Sequence, residues 1–503
     1  MNGVRAGLLA LLGLLLLGAC QRAAAPPAAI RVGLAQSVIT LDPRLATDAN
    51  SARLNRLLYQ PLVDFDAQYR PVGVLAARWR VPTPTRYEFT LRRPHAVFAD
   101  GTPLTARDVL ATYQSILDPA GKSPLKGQLA GLAAVTAPDP DTVVFHLRRP
   151  DPLFPLRLNI GILPAREIAR GRAFQRQPLG SGPFRFVAWP EPGRVVLSRR
   201  RDGQRFEFVT VSDPTVRVLK LQRGELDLLQ NDLPAEMLRY LEERGLRLLR
   251  GSGSRYSYLG YNFQDPLTGR LAVRQAISLG IDRQALARHL FAGAVQPAWG
   301  PMPLGHWAGP RSAQSPAYDP AAAKRLLDAA GLPDPDGDGP RPRFTLEYKT
   351  STDPLRVRVA TVLQAQLARI GVALRIRSLD WGTFYGDIKA GRFQLYGLSW
   401  VGVQSPDFYR EAYHSASVPP NGANRGQLRD AQLDDLIDRA LADPRQDPAD
   451  YAGVQARLRA LQAYAPLWFE DNVAVLAPGL RGYRVRGTGD FDALTEVERE
   501  PVH

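Results

Sequence analysis

Over residues 359–376 the chain changes from a helical to a strand-like spacing of apolar residues, and no other feature constrains its fold as strongly. Apolar residues at 359, 363, 367 and 370 recur every three to four residues, which predicts the buried face of a helix. Gly371 suits the turn that follows a helix end, and from Val372 onward apolar residues alternate as in a strand. A helix leading directly into a strand is the unit of an α/β protein.

The same two periods recur elsewhere in the chain. Alternation predicts strands at 87–91 and 143–147, and helical spacing predicts helices at 321–330 and 433–441. The chain has 503 residues, of which 45% are hydrophobic and 22% are charged. This is the composition of an ordinary globular protein, and the length is sufficient for two or more domains.

The only cysteine, Cys20, ends the only long apolar run. That run is too short and too close to the N-terminus for a transmembrane helix, so we predict a signal peptide at 1–19. Leu17-Gly18-Ala19-Cys20 resembles the bacterial lipoprotein box, which implies lipidation at Cys20 and a lipidated tether at 20–29. Acyl chains anchor a protein by burying methylene groups in the membrane. An ordinary secretory peptide, or a buried cysteine without a role, are the alternatives.

The net charge is +15, from 64 Lys and Arg against 49 Asp and Glu. The arginines are scattered along the chain, and no Cys/His finger or ribonucleoprotein motif accompanies them. We therefore predict no nucleic-acid partner and interpret the charge as an arginine-rich solvated surface, or as adhesion to anionic envelope components.

Catalytic and metal-binding motifs are incomplete in this sequence. The six histidines have no ligand spacing, 121–123 lacks the first glycine of a phosphate-binding loop, and 180–182 lacks the first glycine of a nucleophile elbow. Residues 334–339 open like a calcium loop, but Thr345 stands where a bidentate carboxylate is needed, so a solvated turn and a weak calcium site both stay open. We predict no enzyme activity, no catalytic residues, no cofactor and no resident metal.

Longer stretches resemble the extracellular solute-binding proteins of family 5, the peptide-binding group that serves ABC importers. The most specific stretch, 79–111, contains RYEFTLRR and VFADGTPLTARDV, a pattern that also predicts a strand, a turn and a helix capped by Thr105 and Asp108. The resemblance covers roughly 31–485. Its other landmarks are 41–43, 58–63, 178–184, 223–227, 261–262, 273–277, 281–283 and 318–320.

The resemblance implies a two-lobed α/β fold, that of the periplasmic binding proteins of type II (cluster C-like), with an extra subdomain in the larger lobe. The implied division gives 30–48, 165–261 and 471–503 to lobe I, 49–164 to the extra subdomain, and 262–470 to lobe II. It further implies a monomer, anchored by its lipid on the periplasmic side of the cell envelope. There it would trap a solute between closing lobes and deliver it to an ABC permease in the inner membrane.

The resemblance also places a solute site. Ser37 and Val38 match a ligand-contacting strand, and Trp381 and Trp400 resemble two tryptophans that line the cleft. Plain core packing is the alternative for each, and we expect Trp79 and Trp468 to be core residues. The full set of expected substrate-binding residues is Ser37, Val38, Tyr261, Asn262, Trp381, Trp400, Val403 and Asp407.

Two positions depart from the peptide-binding members. Val403 stands where they usually carry an aspartate that pairs with the peptide amine, and Gly397 stands where an arginine sometimes receives the carboxylate. A free amine would need another carboxylate, such as Asp407, because burying an unpaired charge is costly. Free peptide is the family expectation, and Val403→Asp would strengthen its binding.

Alternative functions stay open. A blocked or modified peptide, a sugar or another polar solute would fit the same fold. An exported hydrolase would need an acid–base pair that the sequence does not single out. A structural envelope lipoprotein would use the basic surface for adhesion.

Overall fold

The computed structural model describes residues 29–312, 316–337 and 339–500. Cys20, the predicted signal peptide and all but the last residue of the predicted tether lie outside the described residues. Within the described ranges, every helix is too short or too polar to traverse a lipid bilayer.

The strands of the described residues provide the frame of both lobes. In chain order they are β1 (Ile30–Leu34), β2 (Val63–Phe65), β3 (Pro71–Gly73), β4 (Ala76–Thr83), β5 (Arg86–Leu91), β6 (Leu132–Asp139), β7 (Thr142–Leu147), β8 (Phe184–Glu191), β9 (Arg194–Arg199), β10 (Arg205–Thr210), β11 (Leu228–Gln230), β12 (Arg247–Tyr261), β13 (Val295–Pro297), β14 (Phe344–Ser351), β15 (Val372–Leu379), β16 (Leu395–Trp400), β17 (Tyr464–Leu476), β18 (Leu480–Arg481) and β19 (Glu498–Arg499).

The helices pack on the faces of these strands. They are α1 (Ala49–Leu58), α2 (Ala106–Leu117), α3 (Ala165–Ala169), α4 (Pro214–Gln222), α5 (Ala235–Glu243), α6 (Leu271–Leu279), α7 (Arg283–Phe291), α8 (Pro320–Ala329), α9 (Pro354–Ala368), α10 (Trp381–Lys389), α11 (Asp407–Tyr413), α12 (Ala431–Ala442) and α13 (Pro448–Leu461), with short 3₁₀ helices at Pro124–Leu129, Phe154–Arg157, Ser415–Ser417 and Asp492–Thr495.

One sheet runs through both lobes in the order β15-β14-β16-β12-β17-β11-β1-β10-β9-β8, with β13 also paired to β17. The two long strands β12 and β17 are antiparallel and cross between the lobes. Their register shifts between Gly251 and Arg255. At this shift a Cβ on Gly253 would lie 2.0 Å from the carbonyl oxygen of Glu470, so only glycine fits the close approach of the two backbones.

Lobe I is built on β8 to β11 and β1, and β1 is parallel to both β10 and β11. One face of this sheet carries the larger core, and α4 and α5 pack on the other face. Helix α1 also belongs to the larger core, because Leu54, Leu57 and Leu58 are buried beside Ile30 and Phe206. The core of lobe I therefore includes a helix that the predicted division at residue 49 gave to the extra subdomain.

The extra subdomain has its own core around the antiparallel sheet β4-β5-β7-β6. The predicted strands at 87–91 and 143–147 lie within β5 and β7, where Phe89 and Phe145 meet edge to face at 5.6 Å between ring centroids. The predicted cap is also present: the backbone N–H of Thr105 donates to the Asp108 carboxylate at 2.7 Å, and α2 begins at the next residue.

Lobe II is a three-layer α/β unit. Strand β14 is parallel to β15 and β16, and helices pack on both faces in two separate cores. The segment 359–376, where the apolar spacing changes, lies in α9 and β15, which are joined through Gly371 at φ +78°. The helices predicted at 321–330 and 433–441 correspond to α8 and α12, each within one or two residues at either end.

Candidate binding site between the lobes

The carboxyl ends of two sets of parallel strands face each other across the crossing strands. In lobe I, Gln230 at the end of β11 pairs with Ala474 of β17, next to the register shift. In lobe II, Trp400 at the end of β16 pairs with Tyr256 of β12, on the other side of the same shift. Open α/β sheets bind ligands beyond the carboxyl ends of their strands. The space between these two edges is the candidate site.

On the lobe I side, the two predicted site residues, Ser37 and Val38, differ in their exposure to solvent. Ser37 is exposed just beyond β1, whereas Val38 is 6% exposed and belongs to the lobe I core. The apolar side chain presented to solvent here is that of Ile39, which is 65% exposed. The Val38 side chain therefore packs into the core, and a contact between residue 38 and a solute, through its backbone, stays a prediction.

Tyr261 and Asn262 lie at the far end of β12, because Tyr261 pairs with Leu395 at the start of β16. Tyr261 is completely buried and its hydroxyl donates to the carbonyl of Arg274 at 3.3 Å. The Asn262 amide donates to the carbonyl of Phe393 at 2.9 Å. These side chains therefore make contacts within lobe II, away from the strand ends at Trp400, and a role for them in solute binding stays a prediction.

The two predicted tryptophans do lie at carboxyl ends of lobe II strands. Trp381 follows β15, opens α10 and is 58% exposed, and its indole stacks on Tyr385 with ring centroids 5.4 Å apart. The carboxylate of Asp380 caps this helix by accepting from the backbone N–H of Thr383 at 3.1 Å. Trp400 is half-buried and meets Phe408 edge to face at 4.8 Å. These two indoles give lobe II an aromatic wall.

Neither Val403 nor Asp407 presents a free group to the candidate site. Val403 is 4% exposed and packs in the core beside α11 and α12, so it does not line an open site. The Asp407 carboxylate is 2.7 Å from a guanidinium nitrogen of Arg157, which belongs to the extra subdomain. Burial raises the pKa of Asp407, and the charge of Arg157 opposes that rise. Asp407 is thus already paired across the lobes and is not a free partner for an amine.

Aromatic residues form a second contact between the lobes at the rim of the site. Tyr69 stacks on His306 at 5.1 Å between centroids, and the indole N–H of Trp307 donates to the carbonyl of Tyr69 at 3.2 Å. Burial lowers the pKa of His306 to about 4. The ring is therefore neutral near pH 7, with Nδ1 accepting from the backbone N–H of Ala308 at 3.0 Å.

Sequence reasoning missed the charged residues nearest the strand ends. Glu470 of β17 lies 3.2 Å from Arg356 and 3.6 Å from Arg255, between guanidinium nitrogen and carboxylate oxygen. Arg425 is 6% exposed, and its guanidinium carbon lies 4.2 Å from the ring centroid of Trp400. No local pattern identifies them, because their burial depends on segments far apart in the chain.

Other features of the described residues lie outside this site. A cavity of about 430 Å³ in lobe II is bordered by α6, α13 and Trp299, and none of the expected site residues lines it. Within the described ranges, no three His, Cys, Asp or Glu side chains group as metal ligands. Asp338 of the calcium-like turn lies outside the described residues, and the neighbouring Asp336 carboxylate lies 3.5 Å from Arg341 Nε.

Comparisons with known proteins agree with this architecture. The family model of the bacterial extracellular solute-binding proteins, family 5 Middle, matches residues 70–419. The dipeptide-binding protein of Pseudomonas aeruginosa is 25% identical over 468 residues, which are 85% of this chain and 87% of that protein. The oligopeptide-binding protein AppA of Bacillus subtilis is 24% identical over 477 residues, 89% of this chain and 87% of AppA.

The solved structure of AppA from B. subtilis with a nonapeptide superposes with a TM-score of 0.70 at 23% identity, over 94% of this chain and 99% of that chain. At this level of sequence identity, the structural similarity is evidence about the fold alone. The two-lobed α/β fold expected from the sequence is confirmed by it.

Proposed function

This chain belongs to the bacterial extracellular solute-binding proteins of family 5, and we propose that it captures a peptide or peptide-like solute for an ABC transporter. The observation that carries the proposal is the pair of opposed strand ends, which the crossing strands β12 and β17 connect. Such a hinge lets a solute be enclosed by movement of whole lobes. The protein acts as a monomer that delivers its solute to a permease, and its role is binding rather than catalysis.

The surface of the candidate site suits a solute whose side chains vary. Trp381 and Ile39 present exposed apolar groups from opposite lobes. Flat aromatic surfaces provide contact area without specifying one side chain. The names of the relatives from P. aeruginosa and B. subtilis, which refer to dipeptides and oligopeptides, support a peptide as the solute.

Neither position 403 nor Asp407 offers a free carboxylate to a peptide amine, and this favours a blocked or modified peptide as the second candidate. Val403 is buried, and Asp407 is paired with Arg157. Gly397 leaves no room for an arginine, because a Cβ there would lie 2.0 Å from the Tyr348 hydroxyl. An amine without a carboxylate would lose its hydration without compensation.

Native mass spectrometry of the purified protein tests the proposal. We expect the protein to carry peptide masses from the cell, or to select them from an equimolar mixture of free tripeptides and tetrapeptides. Masses of N-terminally blocked peptides alone would support the second candidate. A protein that binds a single non-peptide compound, and no peptide, would refute peptide capture.

Membrane attachment through Cys20 is a separate proposal that rests on the lipoprotein-box resemblance. Two or more acyl chains on this cysteine would hold the protein durably at the membrane. We expect the wild-type protein in the membrane fraction and the Cys20→Ala variant in the periplasmic extract. Equal distribution of both proteins would contradict lipid anchoring.

A further inference from the structure

Five arginines of the described residues are almost completely buried, and four of them donate to backbone carbonyls. The guanidinium of Arg274, for example, donates to the carbonyls of Gly269 at 2.7 Å and Leu461 at 2.9 Å. Arg283 does the same with Pro466 at 2.6 Å. The remaining two of the four are Arg199 and Arg217. These contacts give each of the four a structural role.

Arg425 differs from these four. Its guanidinium makes two hydrogen bonds, to the hydroxyls of Tyr258 at 3.1 Å and Tyr385 at 3.2 Å. A guanidinium has five N–H donors, so these two bonds leave donors unused. In the part of the chain that the structure describes, no carboxylate forms an ion pair with Arg425, although the residue is 6% exposed.

Aromatic residues from four elements of the described structure face Arg425. Tyr258 comes from β12, Tyr396 and Trp400 from β16, Tyr464 from β17 and Tyr385 from α10. Burial raises the pKa of Tyr258, Tyr396 and Tyr464, so these three hydroxyls stay protonated. A buried cation without a countercharge is costly to the folded state.

Arg425 also lies directly behind the aromatic wall, in contact with the Trp400 ring and close to Tyr385. Its guanidinium carbon is 4.2 Å from the ring centroid of Trp400 and 5.5 Å from that of Tyr385, and the Tyr385 ring also stacks on the exposed Trp381. The Trp400 indole N–H is also buried here, close to the Tyr258 hydroxyl, and forms no hydrogen bond of standard geometry among the described residues. The unused N–H groups of Arg425 and this indole N–H thus lie together behind the wall.

The loop that carries Arg425 is held firmly. Asn424 is 2% exposed; its amide donates to the carbonyl of Leu428 at 2.8 Å and its oxygen accepts from the Leu428 N–H at 3.1 Å. A Cβ on Gly426 would lie 2.6 Å from the carbonyl oxygen of Tyr261. The guanidinium is therefore presented by a fixed backbone, as an orienting contact requires.

We propose that Arg425 binds a carboxylate group of the captured solute, which enters between Trp400 and Tyr385. The inference rests on the proposed function for the presence of a solute and adds its charge class. A carboxylate accepts two parallel N–H bonds from a guanidinium and supplies the missing countercharge. For a peptide, the carboxylate is either the C-terminus or an acidic side chain.

Competition between matched peptides tests this role. Tripeptides with neutral side chains are offered as free acids and as C-terminal amides, and bound masses are compared by native mass spectrometry. We expect the wild-type protein to prefer the acids about tenfold, Arg425→Gln to abolish the preference, and Arg425→Lys to keep part of it. If a C-terminal amide binds again once it contains a glutamate, the carboxylate that Arg425 binds is that of the side chain. An unchanged preference in Arg425→Gln would overturn the proposal.

A second measurement does not depend on peptide capture. Glutarate and the neutral glutaramide are titrated at low ionic strength while tryptophan fluorescence is recorded. We expect a saturable change with glutarate in the wild-type protein and in Arg425→Lys, and none in Arg425→Gln. No saturable change in the wild-type protein would overturn the proposal. Glutarate binding in a protein that selects no peptide would contradict the peptide function and leave the role of Arg425 supported.

Arg274→Gln serves as the control for a buried structural arginine. It should lower the melting temperature clearly while the preference for free acids stays unchanged, because its carbonyl partners lose their donor. Arg425→Gln should keep its melting temperature within about 3 °C of the wild type, since it removes an unpaired buried charge. A large loss of stability in Arg425→Gln together with an unchanged acid preference would indicate a purely structural role.

Discussion

Arg157 of the extra subdomain and Asp407 of lobe II form an ion pair across the candidate site, with 2.7 Å between a guanidinium nitrogen and a carboxylate oxygen. The same guanidinium is held from its own side by Asp151 at 2.8 Å. Arg157 is therefore positioned before it meets Asp407, and the pair links two bodies that must move relative to each other for a solute to enter.

We expect Arg157→Gln to favour lobe opening and to weaken peptide binding several-fold, by about 1 kcal/mol. Calorimetry with a peptide that the wild type binds, and small-angle scattering with and without it, give the affinity and the degree of closure. Arg166→Gln is the matched control, because Arg166 of lobe I pairs with Asp100 of the extra subdomain and this ion pair does not involve lobe II. Equal effects of the two variants would argue against a role for the pair in closure.

Asp471 predicts a pH dependence of stability. Burial raises its pKa from 3.8 to about 6 in the folded protein, although Gln296 donates to it at 3.1 Å. The folded state therefore binds the proton more tightly than the unfolded state, so this contribution to stability is greatest below about pH 4 and is lost as the pH rises to about 6. Because the carboxylate is partly exposed, we expect a loss of about 1 kcal/mol.

Urea unfolding of the wild type and Asp471→Asn at pH 4 to 7 measures this contribution. The variant should gain stability relative to the wild type across that range and keep the advantage above about pH 6. Asp435→Asn changes a carboxylate that is 62% exposed and serves as the control. A stability difference between wild type and Asp471→Asn that does not vary with pH would contradict the prediction.

Trp381 and Trp468 should respond to truncation in opposite ways. Trp381 is 58% exposed, so Trp381→Ala should change the free energy of unfolding by less than about 1 kcal/mol but weaken peptide binding about tenfold. Trp468 is 1% exposed, so Trp468→Ala should lose about 3–5 kcal/mol of stability. Denaturant unfolding and calorimetry separate the two effects. Normal peptide affinity in Trp381→Ala would remove this residue from the site.

Gly260 marks a close contact between β12 and β16. A Cβ there would lie 2.2 Å from the ring of Tyr396, which is completely buried and cannot move aside. We expect Gly260→Ala to lose about 1–3 kcal/mol of unfolding free energy. Gly386, inside α10, has no neighbouring atom in the way, and Gly386→Ala should gain up to about 1 kcal/mol. Equal unfolding midpoints for the two variants would contradict this packing.

The burial of Val403 changes what an aspartate there is expected to do. Val403→Asp places a carboxylate in a core and should cost at least about 2 kcal/mol of stability, measured by thermal unfolding. Val401→Asp, at a position 72% exposed, should change stability by less than about 0.5 kcal/mol. A Val403→Asp protein that is stable and binds unblocked peptides more tightly would instead support the original prediction from the family resemblance.

Periodicity predicted elements well where one face of a segment is apolar. The change at Gly371 marked the junction of α9 and β15, and Trp468 is buried as expected. Matching a residue to a position in the family did not predict which way its side chain points. Val38 is buried in a core, whereas its neighbour Ile39 is exposed. Successive residues of extended chain point to opposite sides, so an error of one position reverses the prediction.

The α/β class, the main helices and strands and the family resemblance could all be predicted from the amino-acid sequence, because they follow from local spacing and from motifs along the chain. Which charges are buried, and with what partners, depends on the packing of the folded chain. Arg425 meets Tyr258, Tyr385 and Trp400, whose positions lie up to 167 residues away along the chain. Such contacts arise from packing between distant segments, and local sequence carries no record of them.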